Sequence, residues 1–426
     1  MLGSVATLMV ETYMPLYLSE VLHLTNTKIG NLQALTQFMA KASGSISGTL
    51  ADLLSPARMV IFGTLLTTIN KPMFAASGWV YATLGTSACL YWITFAKVFD
   101  RVSKGVREAP SKALIGELAA HSGESPSAAF GLRHAMATLG MLLGALTAAA
   151  AFKLSGRNYE LCFALSTIPG VLALVLVATA FRKVKGRARI KPEPSSSGGE
   201  EESTLSLLDK GRALLTAFQP AYWQALVVVG ILYMARYDMS FGTLRAKTVM
   251  DKAMLPVLIP VAMVPQAVLA TPAGIQAKSG ARARNTVLVV GIAALIAANL
   301  AFAFMPSALG MMLGALFLGT HMAMTHGVSV GMLSTYIPKD SIPGLGKISG
   351  TAWSFTDMVL GVVLAYSNVL AGRLADLTTQ KGFGNIGCFL GGATASALSI
   401  VALLLFSVFG HLGRDDLLPA TKAKAA

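Results

Sequence analysis

Residues 48–58, Gly-Thr-Leu-Ala-Asp-Leu-Leu-Ser-Pro-Ala-Arg, have a partner in residues 274–284, Gly-Ile-Gln-Ala-Lys-Ser-Gly-Ala-Arg-Ala-Arg. Each stretch follows the second long apolar run of its half of the chain. Six such runs, about 2–22, 30–53, 57–78, 80–118, 127–152 and 161–181, precede a second set of six at about 221–244, 253–276, 285–305, 307–335, 348–371 and 384–410. Runs of this length read as membrane-crossing helices, which need about 20 apolar residues each. Weak internal symmetry of this kind is the mark of two helical bundles related around a site at mid-membrane. The expected fold is therefore an all-α membrane protein with twelve transmembrane helices in two pseudo-symmetric six-helix bundles, divided as 1–181, a linker at 182–220, and 221–426.

Composition agrees. The 426 residues are 54% hydrophobic and 13% charged, and mean hydropathy is +0.62, whereas soluble chains carry about 25% charged residues. Such surplus apolar surface implies lipid as a partner. A formal charge of +14 would raise nucleic acid in a soluble protein. Here much of the excess falls between apolar runs, where the positive-inside rule places it, so no nucleic acid is expected. Cys89, Cys162 and Cys388 show no paired spacing and read as packing residues. The first run carries Glu11 and no cleavage signature, and reads as a first helix with a trimmed leader.

The linker opens with Arg182, Lys183, Lys185, Arg187, Arg189 and Lys191 and continues through prolines, serines and Glu200 to Glu202. Its composition cannot bury a core. An even number of crossings on each side puts both termini and this basic linker on one face, which the charge rule makes cytoplasmic.

Gly48 to Arg58 resembles the cytoplasmic loop signature between helices two and three of the major facilitator superfamily, with Asp52 at its acidic position. The resemblance implies a gating loop of Gly48, Asp52 and Arg58, although Pro56 and Ala57 replace part of the usual Gly-Arg run. Lys278 stands where the second copy would have Asp. A narrower resemblance, to a bacterial subgroup with a DRxGKGxRxxP-like stretch in helix four, rests on Asp100-Arg101, Lys104-Gly105, Arg107, Pro110 and Ala113-Leu114. Phe130-Gly131, Arg133-His134, Thr138 to Gly140, Phe241 to Ala246 and His321-Met322 belong to the same pattern. Ala145 and Ala137 depart from it, where antiporters often have Pro and the subgroup usually has Asp. In length, Ala-rich composition and Met and His content the chain also looks like the facilitator proteins of the magnetosome membrane. The implied location is a bacterial inner membrane or the magnetosome membrane.

Ionisable residues inside a membrane are costly and mark function or a partner. Lys97, Asp100, Arg101, Lys104 and Arg107 recur at helical spacing, and Val98, Val102 and Val106 keep that spacing between them. The stretch is either a solvated loop or a helix whose basic face lines a wet cavity and attracts anions. Glu11 in the first run and Asp238 in the seventh occupy related places in the two halves. They are candidates for coupling to protons, or else for ion pairs, Glu11 with Lys41 or helix four and Asp238 with Arg236 or Arg245. These residues form the candidate substrate-binding and coupling set.

His321, Met322, Met324 and His326 supply imidazole and thioether donors suited to softer metals, or are ordinary packing. Residues five apart on a helix diverge by roughly 140°, so His321 and His326 cannot both face one ion without a bend. No phosphate-binding loop, zinc-protease or serine-hydrolase motif is present. Neither an enzyme nor a cofactor is expected. The expected function is secondary active transport of a small charged solute, with iron or another transition metal, free or chelated, as the leading substrate. Alternatives are a proton-coupled organic anion or drug transporter and a non-transporting membrane scaffold or receptor.

Overall fold

The computed structural model describes residues 1–53, 56–122, 126–184, 215–216, 218–337, 341–342, 346–347 and 349–414. The chain is helical almost throughout. A segment in lipid must satisfy every backbone N–H and C=O within itself, and the helix does so for an isolated span. The first half contains α1 (Leu2–Glu11), α2 (Met14–Glu20), α3 (Asn26–Leu53), α4 (Pro56–Ala75), α5 (Ser77–Ser122), α6 (Pro126–Leu154), α7 (Tyr159–Leu165) and α8 (Thr167–Val184). The second contains α9 (Pro220–Ala235), α10 (Ser240–Ala246), a 3₁₀ turn at Lys252–Val257, α11 (Leu258–Ala277), α12 (Ala281–Phe304), α13 (Ala308–Tyr336), α14 (Ser349–Gln380) and α15 (Ile386–Val408). A two-residue antiparallel pairing of Ser341–Ile342 with Gly346–Lys347 is the one β feature among the described residues.

Taking α1 with α2, α7 with α8, α9 with α10, and the 3₁₀ turn with α11 as single broken crossings gives twelve spans in two six-helix bundles. Eight of the described helices are long and apolar enough to cross a membrane, or nine if one bent pair is a single span. Large apolar side chains such as Trp79, Tyr91, Leu154 and Phe409 stay exposed, which suits a lipid-facing surface. The expected linker falls largely at 185–214 and 217, outside the described residues.

The third and fourth spans divide later than the apolar runs suggested. The break between α4 and α5 bends the chain by only 65°. The reversal comes at Gly85, whose φ of 81° and ψ of −179° interrupt α5. Beyond it the two helical arms of the hairpin run antiparallel: Cys89 Sγ donates to the Ser77 carbonyl, Trp92 Nε1 to that of Met73 and Asn70 Nδ2 to that of Ala96. That backbone region is open essentially to glycine alone. The charged stretch after Val98 remains helical to Ser122, so it is no loop.

Spans two and eleven run antiparallel across the bundle interface. A Cβ on Gly30 would meet the Asn368 carbonyl at 2.4 Å, and one on Gly372 the Asn26 carbonyl at 2.6 Å. Glycines here let two backbones touch. Further aromatic packing closes the same end of the first bundle, with Tyr13 stacked on Phe152 at 4.3 Å and Tyr159 beside both.

Candidate functional site

The first and seventh spans break at matching places. α1 ends at Glu11. α9 ends at Ala235, Arg236 is extended (φ −96°, ψ 93°), and helix resumes at Ser240. Unwound backbone at membrane depth is tolerated where it lines a cavity and finds other partners. Ser367 Oγ donates to the carbonyls of Met234 and Arg236, and Asn368 Oδ1 accepts the Asp238 N–H at 2.8 Å.

Between the bundles lies a chamber of about 190 Å³ walled by Glu11, Gln33, Lys97, Arg101, Asp238 and Ser240 among others. The sequence placed Glu11, Lys97, Arg101 and Asp238 in one site, and the fold brings them together. Arg101 donates to Glu11 at 2.7 Å, Lys104 lies 3.5 Å from Glu11, and Lys104 also pairs with Asp100 at 2.5 Å. Asp100 takes a second cation, Lys71, at 3.0 Å, both side chains being almost wholly buried. The ion pair of Glu11 is thus with helix four; Lys41 instead binds Asp357 at 2.7 Å.

Lys97 donates to Gln33 Oε1 at 3.0 Å, and Gln33 Nε2 donates across the interface to Ser240 Oγ at 2.6 Å. The Ser240 hydroxyl and N–H both donate to Asp238, and Gln37 reaches the other carboxylate oxygen at 3.5 Å. Neither Arg236 nor Arg245 is the partner of Asp238. Gln33, Gln37, Ser240 and Lys71 were missed from sequence. Lys71 could have been found as the one cation in the interior of its apolar run, well past Arg58 at its start, and Gln33, Gln37 and Lys41 as a stripe with a spacing of four.

A second chamber, of about 390 Å³, adjoins the first and is lined by Gln37, Arg236, Asp238, Met322 and largely apolar side chains. Arg236 Nε donates to His321 Nε2 at 2.9 Å and its terminal nitrogen to Thr325 Oγ1 at 2.5 Å. His321 Nδ1 faces the Gly291 carbonyl at 2.9 Å. The ring is therefore the Nδ1–H tautomer with both nitrogens used.

The metal set does not converge. His321 is fully buried and spent on Arg236 and Gly291, Met322 lies in the chamber wall, Met324 packs beside Gly291, and His326 is exposed. Among the described residues no three His, Cys, Asp or Glu side chains gather at metal-binding distance. The physical reason is the helix itself, which sends consecutive residues to different sides. Arg245 also leaves the site: it donates to the carbonyls of Phe302 and Ala303, both at 3.1 Å, closing the C-terminal end of α12. Arg107 lies against Gly63, away from both chambers. Arg58 is exposed in the first turn of α4, whereas the Asp52 side chain and the surroundings of Gly48 lie outside the described residues.

One face of the molecule is closed by links between the bundles. Arg157 pairs with Asp251 at 2.8 Å and Lys252 with Glu20 at 2.8 Å, and Lys247 donates to Ser19 at 2.7 Å. Asp376, from span eleven, accepts from the main-chain N–H groups of Asn26 and Thr27 at the start of α3. Asp251 is held below the usual carboxylate range by the Ala253 N–H and by Arg157.

Comparison with known proteins agrees with this architecture. The family model described as Major Facilitator Superfamily matches residues 1–356. An uncharacterised protein of Mycobacterium tuberculosis is 22% identical over 359 residues, 83% of this chain and 79% of that one. Among solved structures, nucleoside transporter NupG superposes with a TM-score of 0.67 at 13% identity, covering 96% of this chain and 97% of that one. Peptide transporter POT in complex with sulfate gives 0.67 at 15% identity, covering 96% and 93%. A match over most of its length, on a chain with twelve spans and a charged central chamber, means that this protein belongs to the Major Facilitator Superfamily and is a transporter of that type.

Proposed function

We propose that the chain is a secondary transporter that moves a small organic anion by alternating access, with Glu11 and Asp238 as its proton-exchanging carboxylates. One observation carries the reading: Lys97 and Arg101 stand in the wall of the central chamber, with Arg236 in the adjoining one. Cations in a low-dielectric cleft focus negative solute there. Protonation of Glu11 would release Arg101 from its 2.7 Å pair and free the guanidinium for the solute. The link from Lys97 through Gln33 to Ser240 and Asp238 ties that event to the other bundle.

With the termini and the basic linker cytoplasmic, the face closed by Asp376, Glu20 and Asp251 is the outer one, and the state described is closed to the outside. The structural neighbours are a nucleoside transporter and a peptide transporter, which keeps the substrate class broad. Transport of iron, or supply of a magnetosome, has less support, because only Met322 of the four proposed donors lines a chamber.

Uptake of labelled mono- and dicarboxylates into proteoliposomes under an imposed pH gradient is the test. Saturable anion flux that collapses with the gradient is expected. Absence of flux under every gradient would leave the scaffold reading instead.

A further inference from the structure

We infer that Arg236 and the apolar chamber beside it form a distinct subsite for an amphipathic organic carboxylate, its charge on Arg236 and its apolar body against Leu258, Met263, Leu295, Phe302 and Met322. The inference rests on the reading of the central cavity as the solute path and names the class of solute.

The first argument is charge. Among the described residues Arg236 has only neutral partners, His321, Thr325 and the face of Tyr233 at 5.1 Å from its centroid. His321 accepts from Arg236 and so cannot carry a counter-charge. Asp238 lies in the same wall, but one of its oxygens holds the Ser240 N–H and hydroxyl. Among the described residues no carboxylate lies within 4.0 Å of the Arg236 guanidinium, in contrast to Arg101 with Glu11. A cation held in an apolar cleft without an ion partner is costly, and a carboxylate supplied by solute removes that cost with bidentate geometry.

The second argument is an unused donor. Asn299 is 1% exposed and lines the same chamber. Its Oδ1 accepts the Tyr237 hydroxyl, whereas its Nδ2 has no hydrogen-bond partner. That nitrogen is sealed beside Gly392, and buried donors are rarely left unmade, so a small turn of the Asn299 amide toward the chamber would let a solute with an oxygen acceptor on its apolar body satisfy it. The apolar lining and a volume of about 390 Å³ suit an aryl or branched aliphatic body, as in typical small-molecule sites.

The probes are 3-phenylpropionate, its 4-methoxy derivative, acetate and 3-phenylpropanol, titrated by calorimetry into the full chain in nanodiscs. Wild type is expected to bind 3-phenylpropionate saturably, and acetate and 3-phenylpropanol at least tenfold more weakly. Arg236→Gln should lose tenfold or more, Arg236→Lys less, and Met263→Trp should block the body. The methoxy derivative should gain severalfold over its parent, and Asn299→Ala should erase the gain. Binding that survives Arg236→Gln but vanishes in Arg101→Gln would overturn this subsite while leaving anion transport standing. No binding of either arylcarboxylate to wild type would overturn the solute class. Arg236-dependent binding without flux in proteoliposomes would uphold the subsite and sink the transport reading.

Discussion

Asp376 Oδ1 accepts both the main-chain N–H and the side-chain amide of Asn26, each at 2.9 Å, so a carboxylate from the eleventh span caps the second. A capping side chain contributes about 1 kcal/mol. Here that energy is spent on holding two bundles together at one face. Asp376→Ala should therefore raise the ratio of open to closed forms at this face about fivefold. Spin labels at His23 and Lys381, both exposed at that face, should report a larger long-distance population.

Asp251 gives closure an acid limit. Its carboxyl is held below the usual range by the Ala253 N–H and by Arg157. A depressed pKa in the closed state means that its contribution is complete above the unperturbed carboxylate value, about 4. It is lost as pH falls through the lower, closed-state value. Closure measured with the same labels should thus be flat in this component from pH 7 to about 5 and weaken only under more acid conditions. Asp251→Asn should weaken closure at neutral pH and flatten the acid response.

Lys71 and Asp100 form an almost wholly buried pair at 3.0 Å. Removing one charge of such a pair costs about 3–5 kcal/mol, whereas replacing both is often nearly neutral. Asp100→Asn should lower the thermal midpoint of the purified protein sharply. Lys71→Met combined with Asp100→Asn should recover most of it, and failure to recover would mean that Lys104, the second partner of Asp100, dominates.

Glu11→Gln should separate exchange from accumulation. The variant keeps a hydrogen-bond acceptor for Arg101 but loses the titrating charge. Proteoliposomes carrying it should exchange anion across the membrane at a rate near that of wild type, yet fail to concentrate it when a pH gradient is imposed. Full gradient-driven accumulation would assign the proton to another group.

Gly85→Ala tests the reversal between spans three and four. With φ at 81° and ψ at −179°, any side chain there costs about 1–3 kcal/mol. Nothing lies within 4 Å of a Cβ built at this position, so the loss is backbone strain alone. The thermal midpoint should fall, while anion binding by the folded fraction is unchanged.

Much of this was legible in the residues themselves. Apolar length dictates crossings whatever the neighbours, because lipid leaves backbone groups no other partner, so twelve spans in two related halves followed directly from the chain. Helical spacing likewise put Lys97, Arg101 and Lys104 on one face, and burial cost marked Glu11 and Asp238 as exceptional. Where a run ends was less legible: apolar residues continue through the turn, and only the backbone at Gly85 shows where the chain reverses. Partnership lay outside the sequence altogether. That Glu11 meets Arg101 and not Lys41, that Arg245 closes a helix end, that His321 is consumed by Arg236, and that Lys71 answers Asp100 all depend on which helix faces which. Side-chain type and spacing set what each residue can do, but an ion pair is decided over a few ångströms, and only the packing of distant spans brings two groups within that reach.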